Sequence, residues 1–426
     1  MKLVIIESPG KISSLKKILG PGYDVIATFG HCVDLGKKLS VDVKDDFKPT
    51  YEILPNKKDV IKDIKKKALK AEAVFLSTDS DREGEIISKH IYDILKPTIK
   101  APIYRASFTQ ITKNAVLEAI NNPREIDQNL VGAQTARRIL DRLCGYKTSF
   151  PTKQATGGTS AGRVQSVALR ILAEREKEIK GFVPKEYWEI VANLLSPKKE
   201  EFSVKLDVKI EVRTEKDALE IYEKVRNGTP VVKEVLSSIV EVKPYPPFAT
   251  QALCAAAKSY FGWSSEKTMK IAQDLYEGMG SGHGFITYMR TDSYMIEPGT
   301  ILALRNHISN NFGNNYIPDK PNFYKNKASA QAGHEAVRPV SVSDTSVSSG
   351  DHNKLYDLIW KKTAASQSVP SKEQRVKVII DIAGYDFTAN GNVILFDGWK
   401  KIFNYVNSES NILPALSKGD ICFWNN

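Results

Sequence analysis

The order of hydrophobic and polar positions predicts the architecture of the first 125 residues. Short apolar runs alternate there with amphipathic, lysine-rich segments. The runs predict strands at Leu3–Glu7, Val25–Phe29, Val74–Ser77 and Ile103–Phe108, and the amphipathic segments predict helices at Gly10–Leu19, Lys58–Ala71 and Glu85–Leu95. Strands that alternate with helices are typical of βαβ units. We therefore expect an α/β domain with a doubly wound, mostly parallel sheet.

The remaining residues change pattern several times, which predicts a multidomain α/β and α+β chain. Residues 126–185 are helical around a glycine-containing loop, Thr152–Gly162, and the proline cluster Pro244–Pro247 precedes a second helical stretch, Thr250–Tyr276. Further strands are predicted at Trp188–Leu194, Phe202–Val212, Arg375–Phe387, Val393–Trp399 and Ile421–Trp424. The predicted domains are therefore residues 1–125, 126–185, 249–370, and a β-rich domain formed by 186–248 with 371–426.

Charge and composition narrow the class of partner. The net charge of +11 and a pI near 9.1 favour a polyanionic partner such as nucleic acid, with a basic solvated surface as the alternative. The four cysteines form no CxxC pair, so neither a zinc ribbon nor a disulfide framework is indicated. No stretch approaches the roughly 18 apolar residues of a membrane-spanning helix. The apolar run Leu3–Ile6 is too short for a signal peptide, so we expect a cytoplasmic, DNA-associated protein without membrane contact.

Acidic residues follow the third predicted strand at alternate positions. Asp79, Asp81 and Glu83 stand between this strand and a helix, and Glu7 ends the first strand. Ligands of an open α/β sheet bind beyond the carboxyl ends of its strands. A cluster of oxygen ligands that repel one another favours Mg²⁺ over zinc. The alternative is a solvated acidic turn.

A tyrosine and an arginine lie two residues apart in the segment Phe285–Met295. Tyrosine is a weak nucleophile at its ordinary pKa of about 10, so it needs help with its proton and its developing charge. In an extended segment Arg290 would point the same way as Tyr288, and its guanidinium could hold a phosphate oxygen. Without further context, a structural tyrosine of a buried strand is the favoured interpretation of Tyr288.

Several segments resemble one family, the type IA DNA topoisomerases. ESPGK, FGHCVDL and TDSDREGE are similar to the Toprim domain that topoisomerases share with primases and some nucleases, and Asp42–Lys58 resembles bacterial topoisomerase I. ITYMRTDS resembles the type IA active-site segment residue for residue. The resemblance implies a toroid-like core with a Toprim domain, a helical DNA-binding segment, a β-rich arch and a nucleophile domain.

The resemblance also implies roles for individual residues. Tyr288 would form a 5′-phosphotyrosine link, assisted by Arg290, while Lys11 would offer its charge or a proton to the phosphate or the leaving oxygen. Mg²⁺ would be bound by Asp79, Asp81 and Glu83, with Glu7 close to the metal and the scissile phosphate. GHEAVRPV, which resembles HEAIRPT of the family, would place His334 at a phosphate or in proton transfer; a structural histidine is the alternative.

DNA contacts are implied within the same motifs and within SAGRVQSVALR, ARRILDRLCGY and YRASFTQIT. For each arginine, a surface ion pair is the alternative. The implied contact residues are His31, Arg82, Arg105, Arg137, Arg138, Arg163, Gln165, Ser166, Asp292 and Arg338.

The sequence departs from the family pattern in three places. Extra glycines precede Ser160. Pro247–Gln251 reads PFATQ where the family has PFTTS. Family members continue beyond the last matching marker into a helical segment that completes the DNA-binding domain, whereas this sequence ends at Asn426. We therefore expect cleavage chemistry to be intact and strand passage to depend on a missing C-terminal segment.

The function that these observations predict is Mg²⁺-dependent cleavage and rejoining of one DNA strand by a monomer. ATP is not expected, because no GxxxxGK[ST] motif is present. Single-stranded and negatively supercoiled DNA would be the substrates. Two alternatives stay open: a truncated form that cleaves and rejoins without strand passage, and a catalytically silent single-stranded DNA-binding protein. A primase or nuclease is disfavoured, since neither needs ITYMRTDS.

Overall fold

The computed structural model describes residues 1–207, 210–326, 335–347, 350–406 and 409–425. The elements up to residue 181 are β1 (Lys2–Ile6), α1 (Ile12–Leu19), β2 (Tyr23–Ala27), β3 (Val33–Leu35), β4 (Val41–Asp42), β5 (Lys48–Pro49), β6 (Tyr51–Ile53), α2 (Lys58–Ala68), β7 (Val74–Leu76), α3 (Arg82–Leu95), β8 (Ile103–Arg105), α4 (Lys113–Asn121), α5 (Gln128–Thr156) and α6 (Arg163–Gly181). A short 3₁₀ turn, Pro9–Lys11, precedes α1.

The later elements complete the chain. They are β9 (Val191–Leu195), β10 (Glu201–Leu206), α7 (Glu215–Arg226), β11 (Val231–Val242), α8 (Thr250–Phe261), α9 (Ser265–Glu277), α10 (Pro298–Phe312), α11 (Asp351–Ser366), β12 (Ser371–Ile382), β13 (Tyr385–Phe396), α12 (Trp399–Ile402) and β14 (Phe423–Trp424). In the part of the chain that the structure describes, no helix is long and apolar enough to cross a bilayer.

Two compact units make up the chain. The first contains Met1–Glu178, Pro247–Ile301 and Phe323–Thr363, and the second contains Ile179–Pro246, Leu302–Asn322 and Ala364–Asn426. The finer division into four domains stays a prediction.

The predicted parallel sheet of the first unit is confirmed. Its order is β2-β1-β7-β8, and every neighbouring pair is parallel. β1 and β7 are apolar on both faces because helices cover both sides, and Leu3, Ile5, Val74 and Leu76 pack with residues of α2 and α3. The carboxyl ends of β1 and β7 are adjacent, so the segments that follow them meet at one edge.

The long helices of the first unit differ from the prediction at their junction. The loop predicted from Thr152 begins only at Gly157, because α5 continues through Pro151 to Thr156. Thr152 and Thr156 donate hydrogen bonds to carbonyls four residues earlier. Gly157 ends the helix in the left-handed conformation, which glycine adopts at low cost.

The second unit is built on an antiparallel sheet with strand order β11-β12-β13-β10-β9-β14. Alternating residues of β10 face a core that also contains residues of α7, such as Ile221 and Val225. The predicted strand Arg375–Phe387 is wrong as one piece. The chain reverses at Ala383 and Gly384, both with positive φ, and Phe387 belongs to β13. Such a two-residue turn with positive φ suits a tight hairpin.

Candidate active site

The acidic segment forms a tight turn between β7 and α3. Asp81 is the N-cap of α3, and its Oδ1 accepts a hydrogen bond from Gly84 N at 2.8 Å. The helix therefore begins at Arg82, before the predicted start at Glu85, because Asp81 satisfies its first free amide. Gly84 lies against the backbone of Asp79: a Cβ at Gly84 would be 2.1 Å from the Asp79 carbonyl oxygen.

A methyl group at Gly84 will therefore force the turn to move. We expect Gly84→Ala to lower the free energy of unfolding by about 1–3 kcal/mol, the usual cost of overpacking a close contact. Gly132→Ala is the matched control, since a Cβ there meets nothing within 4 Å inside helix α5. The free energy of unfolding of Gly132→Ala should rise by up to about 1 kcal/mol, because alanine has a higher helix propensity than glycine. Chemical denaturation of the two variants checks this, and an unchanged Gly84→Ala midpoint would contradict the close contact.

A buried ion network supports the turn from behind. Glu85 accepts hydrogen bonds from Arg105 Nε at 3.0 Å, from Arg124 Nη1 at 2.7 Å and from the Asp127 amide at 2.8 Å. The Arg105 guanidinium also donates to the carbonyls of Leu76, Thr78 and Asp79.

The DNA contact predicted for Arg105 stays a prediction, and the structure places this side chain in the protein interior. Its side chain is fully buried, and its guanidinium is bound to protein acceptors on several sides. A phosphate could reach it only if the turn opened. The sequence motif identified an important arginine, but the structure makes it an internal support of the acidic turn.

Lys11 and Glu7 lie at the same edge of the sheet. Lys11 Nζ pairs with Asp79 Oδ1, and its side chain is buried. Burial lowers the pKa of Lys11, but the charge of Asp79, the hydrogen bond to Asp79 and the nearby Tyr276 and Glu277 together raise it by more, so the ammonium form is favoured. Glu7 is half-buried, and desolvation followed by the charge of Asp79 raises the pKa of its carboxyl to about 7. Burial therefore contributes more to the raised pKa of Glu7 than either neighbouring carboxylate does.

Tyr288 reaches this edge from a segment more than 200 residues later. Its hydroxyl donates a hydrogen bond to Asp81 Oδ2 at 2.6 Å, and its amide donates to Thr109 O at 2.9 Å. Burial raises the pKa of the Tyr288 phenol, and the charges of Asp79 and Asp81 raise it further. The phenol is therefore protonated at neutral pH and has a carboxylate oxygen in position to accept its proton.

Glu83 is oriented by two partners. His31 Nε2 lies 3.1 Å from Glu83 Oε2, and Gln134 Nε2 donates to the same oxygen at 2.5 Å. The hydrogen bond to Glu83 raises the pKa of His31, and the same bond lowers the pKa of Glu83. Gln134 was missed by the sequence analysis. Its four-residue spacing from Arg138 and Arg142 was the available signal, because such residues share one face of a helix.

The arginines of α5 and α6 differ in exposure, and several of them are paired with protein groups. Arg138 binds Asp34 with both Nε and Nη2, at 2.8 and 2.6 Å, and Arg142 donates to the carbonyls of Gly36 and Lys38. Arg163 pairs with Asp141 at 2.9 Å across an open groove of about 830 Å³ that Gln165 also lines. The exposed candidates for DNA contact are Arg82, Arg137, Arg163, Gln165 and Ser166.

The residues around Tyr288 that were predicted to bind phosphate or DNA differ in exposure. Arg290 and Asp292 are exposed whereas Tyr288 is buried, so the three side chains do not share one environment. Arg338 is fully buried, and it donates hydrogen bonds from Nε to Glu335 Oε2 at 2.6 Å and from Nη1 to the Pro339 carbonyl. Its predicted phosphate contact stays a prediction. His334 lies outside the described residues.

Comparisons with known proteins agree with this arrangement. The family model for DNA topoisomerase matches residues 125–426, and that for the Toprim domain matches residues 2–111. The chain belongs to the type IA DNA topoisomerase family. DNA topoisomerase 1 of Rickettsia felis is 40% identical over 98% of this chain and 58% of its own length. DNA topoisomerase 1 of Escherichia coli K12 is 36% identical over 98% of this chain and 51% of its own length.

A solved structure shows the same fold for this member of the topoisomerase family. Full-length topoisomerase I from Thermotoga maritima matches with a TM-score of 0.85 and 34% identity, over 99% of this chain and 70% of that chain. The chain thus spans somewhat more than half the length of these curated type IA relatives.

Proposed function

We propose that this chain cleaves and rejoins one DNA strand through a covalent bond to Tyr288. The observation that carries the proposal is the 2.6 Å hydrogen bond from the Tyr288 hydroxyl to Asp81, beside the Lys11–Asp79 ion pair. A nucleophile, a proton acceptor and a fixed positive charge converge at the edge of the sheet. This combination suits attack on a phosphodiester, in which a proton leaves the nucleophile as negative charge grows on the phosphate.

The chemistry follows from these groups. The Tyr288 oxygen attacks the phosphorus while its proton passes to Asp81 Oδ2, and the bond from phosphorus to the 3′ oxygen breaks. The products are a 5′-phosphotyrosine and a 3′ hydroxyl, and the 3′ oxygen takes a proton from an acid. Lys11, Glu7 and His334 are the candidate acids. Rejoining reverses each step, and because bond energy is conserved in the phosphotyrosine, no ATP is required.

Mg²⁺ is the proposed cofactor, and the donor set fits it. Asp79, Asp81 and Glu83 offer carboxylate oxygens only. Among the described residues, no three His, Cys, Asp or Glu side chains are grouped closely enough to hold a metal ion by themselves. Mg²⁺ in proteins is commonly bound through one or two carboxylates together with waters and substrate phosphates.

Substrates and location are proposed on the same basis. The exposed arginines of α5 and α6 and the net charge of +11 support binding to single-stranded DNA. Negatively supercoiled DNA is the proposed natural substrate, since it opens into single strands readily. We propose that the protein acts as a DNA-associated monomer in the cytoplasm. Strand passage is a separate proposal, because it requires a second strand to move through the enzyme.

The polarity of covalent attachment tests the proposed chemistry. An oligonucleotide labelled at its 3′ end should give a labelled protein band after denaturation, whereas the same oligonucleotide labelled at its 5′ end should give a shorter free fragment. A reversed pattern would contradict a 5′-phosphotyrosine. Binding without a band from either label would support a silent binding protein.

Supercoiled plasmid separates cleavage from strand passage in the same preparation. Relaxation that depends on Mg²⁺ and stops with a chelator would support the complete reaction. Adducts on the oligonucleotide without plasmid relaxation would support cleavage and rejoining alone.

A further inference from the structure

We propose that Tyr276 is a positioning residue whose ring holds both the Tyr288 nucleophile and the Lys11 ammonium in place for the reaction. The inference rests on the proposed function, because it assigns to Tyr276 a part in that chemistry. Sequence motifs gave no reason to single out Tyr276, which lies at the end of α9 and outside ITYMRTDS.

The ring of Tyr276 contacts two groups of the site. Its edge meets the Tyr288 ring at a centroid distance of 5.3 Å and an interplanar angle of 65°, the T-shaped geometry that aromatic pairs favour. Lys11 Nζ lies over it at 4.7 Å from the centroid, within the range of a cation–π interaction. Both Tyr276 and Lys11 are only 1% exposed, so water does not compete for the ammonium.

The two partners of Lys11 differ in what happens to them when DNA binds. Asp79 is also a proposed metal ligand, so its oxygens are shared once metal and phosphate arrive. The Tyr276 ring is not a proposed metal ligand, and it is buried in the core. We infer that the ring holds the ammonium near the scissile phosphate while the Lys11–Asp79 pair loosens.

The backbone fixes the ring relative to the nucleophile. Helix α9 ends at Gly278 in the left-handed conformation, and the chain returns so that Phe285 N donates to Leu275 O at 2.9 Å. A Cβ at Gly284 would lie 2.5 Å from the Tyr276 carbonyl oxygen, so the returning strand passes directly beside the helix end. Tyr276 and Tyr288 therefore belong to one rigid corner of the first unit.

Graded weakening of the ring's negative face tests the role of Tyr276. Tyr276→Phe keeps the ring, so it should cleave within about threefold of the wild-type rate. Difluorophenylalanine and pentafluorophenylalanine at this position keep nearly the same ring size. The difluoro ring has a less negative face, and the pentafluoro ring has a positive one. Single-turnover cleavage should then fall stepwise, by about thirty-fold in total if the cation–π contact with buried Lys11 is lost. DNA affinity should not change.

Tyr276→Leu and a modified substrate give a second, independent measurement. When sulfur replaces the scissile 3′ oxygen, the leaving group of the cleavage is a thiolate. A thiolate departs with little stabilisation by a nearby positive charge. Tyr276→Leu and Lys11→Met should both be slow on the oxygen substrate and largely rescued on the sulfur substrate. Phe75→Leu removes a buried ring that contacts Tyr23 and Tyr104, and it should resemble the wild type on both substrates.

The outcomes separate this inference from the proposed function. No fluorine trend, or a Tyr276→Leu defect that is equal on both substrates, would overturn the positioning role while the wild type still forms its adduct. Absence of an adduct from the wild type would instead overturn the proposed function, and the inference with it. A stepwise fluorine trend together with sulfur rescue would support it.

Discussion

Tyr288→Phe will form no covalent DNA–protein band and will not relax plasmid, although it will bind single-stranded DNA within about threefold of the wild type. The substitution removes one oxygen atom from a buried ring and leaves the edge contact with Tyr276 in place. In the proposed site as the described residues form it, Asp81 accepts the proton and Lys11 supplies positive charge, so neither is expected to replace the lost nucleophile. The loss should therefore be complete within detection, whereas affinity depends on the exposed basic residues.

Tyr294→Phe is the matched control for this result. Tyr294 lies six residues later in the same segment, and its backbone amide, which the substitution does not touch, binds Asn326. It should form adducts at the wild-type rate. Measurement is a denaturing gel with a 3′-labelled oligonucleotide, together with fluorescence anisotropy for binding. A band that persists in Tyr288→Phe and disappears in Tyr294→Phe would show that Tyr294 is the nucleophile and would contradict the proposal for Tyr288.

The parallel sheet and its acidic edge could be predicted because both depend on local sequence. Apolar runs such as Val74–Ser77 can only be strands buried on both faces, and an acid that follows such a strand must lie at the carboxyl edge. The motif ITYMRTDS added Tyr288, and the structure brings its hydroxyl to Asp81 across 207 residues. No periodicity in the sequence indicates a contact of that range.

The burial of charged side chains could not be predicted from the sequence. The family motifs that contain Arg105 and Arg338 imply contacts with DNA phosphates, and these contacts stay predictions. The structure shows that both side chains lie in the protein interior, where they contact carboxylates and carbonyls. Burial depends on neighbours that are distant in sequence, as with Glu85 for Arg105. The same reason explains why Tyr276 and Gln134 were missed: only the folded chain places them against Lys11 and Glu83.

Glu85→Gln will lower the free energy of unfolding by about 3–5 kcal/mol, the usual cost of leaving a buried charge without its partner. Glu85 and Arg105 are both fully buried, and Arg124 and the Asp127 amide complete the hydrogen bonds of the carboxylate. Glutamine keeps the volume but lacks the charge, and its amide group places N–H donors against arginine donors. Adduct formation should fall as well, because Arg105 binds the Thr78 and Asp79 carbonyls of the acidic turn.

The stability difference between the wild type and Glu85→Gln should depend on pH. Burial raises the pKa of Glu85, but the hydrogen bond from Arg124 and the charge of Arg105 outweigh it, so the pKa is lowered overall. A carboxyl with a lowered pKa in the folded state stabilises the protein above its unfolded pKa of about 4.3, and this stability is lost as pH falls through the folded value. The difference between wild type and Glu85→Gln should therefore be constant near pH 7 and shrink below about pH 4.

Chemical denaturation at a series of pH values measures that difference, and Glu72→Gln provides the matched control. Glu72 is exposed and pairs with the N-terminal amine at 2.6 Å, so its substitution should change the free energy of unfolding far less than Glu85→Gln does. If Glu85→Gln matched Glu72→Gln in stability, the buried network would carry no folding energy. The helix cap by Asp81 and the close packing at Gly84 would then be sufficient to stabilise the acidic turn. A large loss at pH 7 that vanishes in acid would instead establish that the charge of Glu85, acting through Arg105, holds Asp79 in place for the reaction.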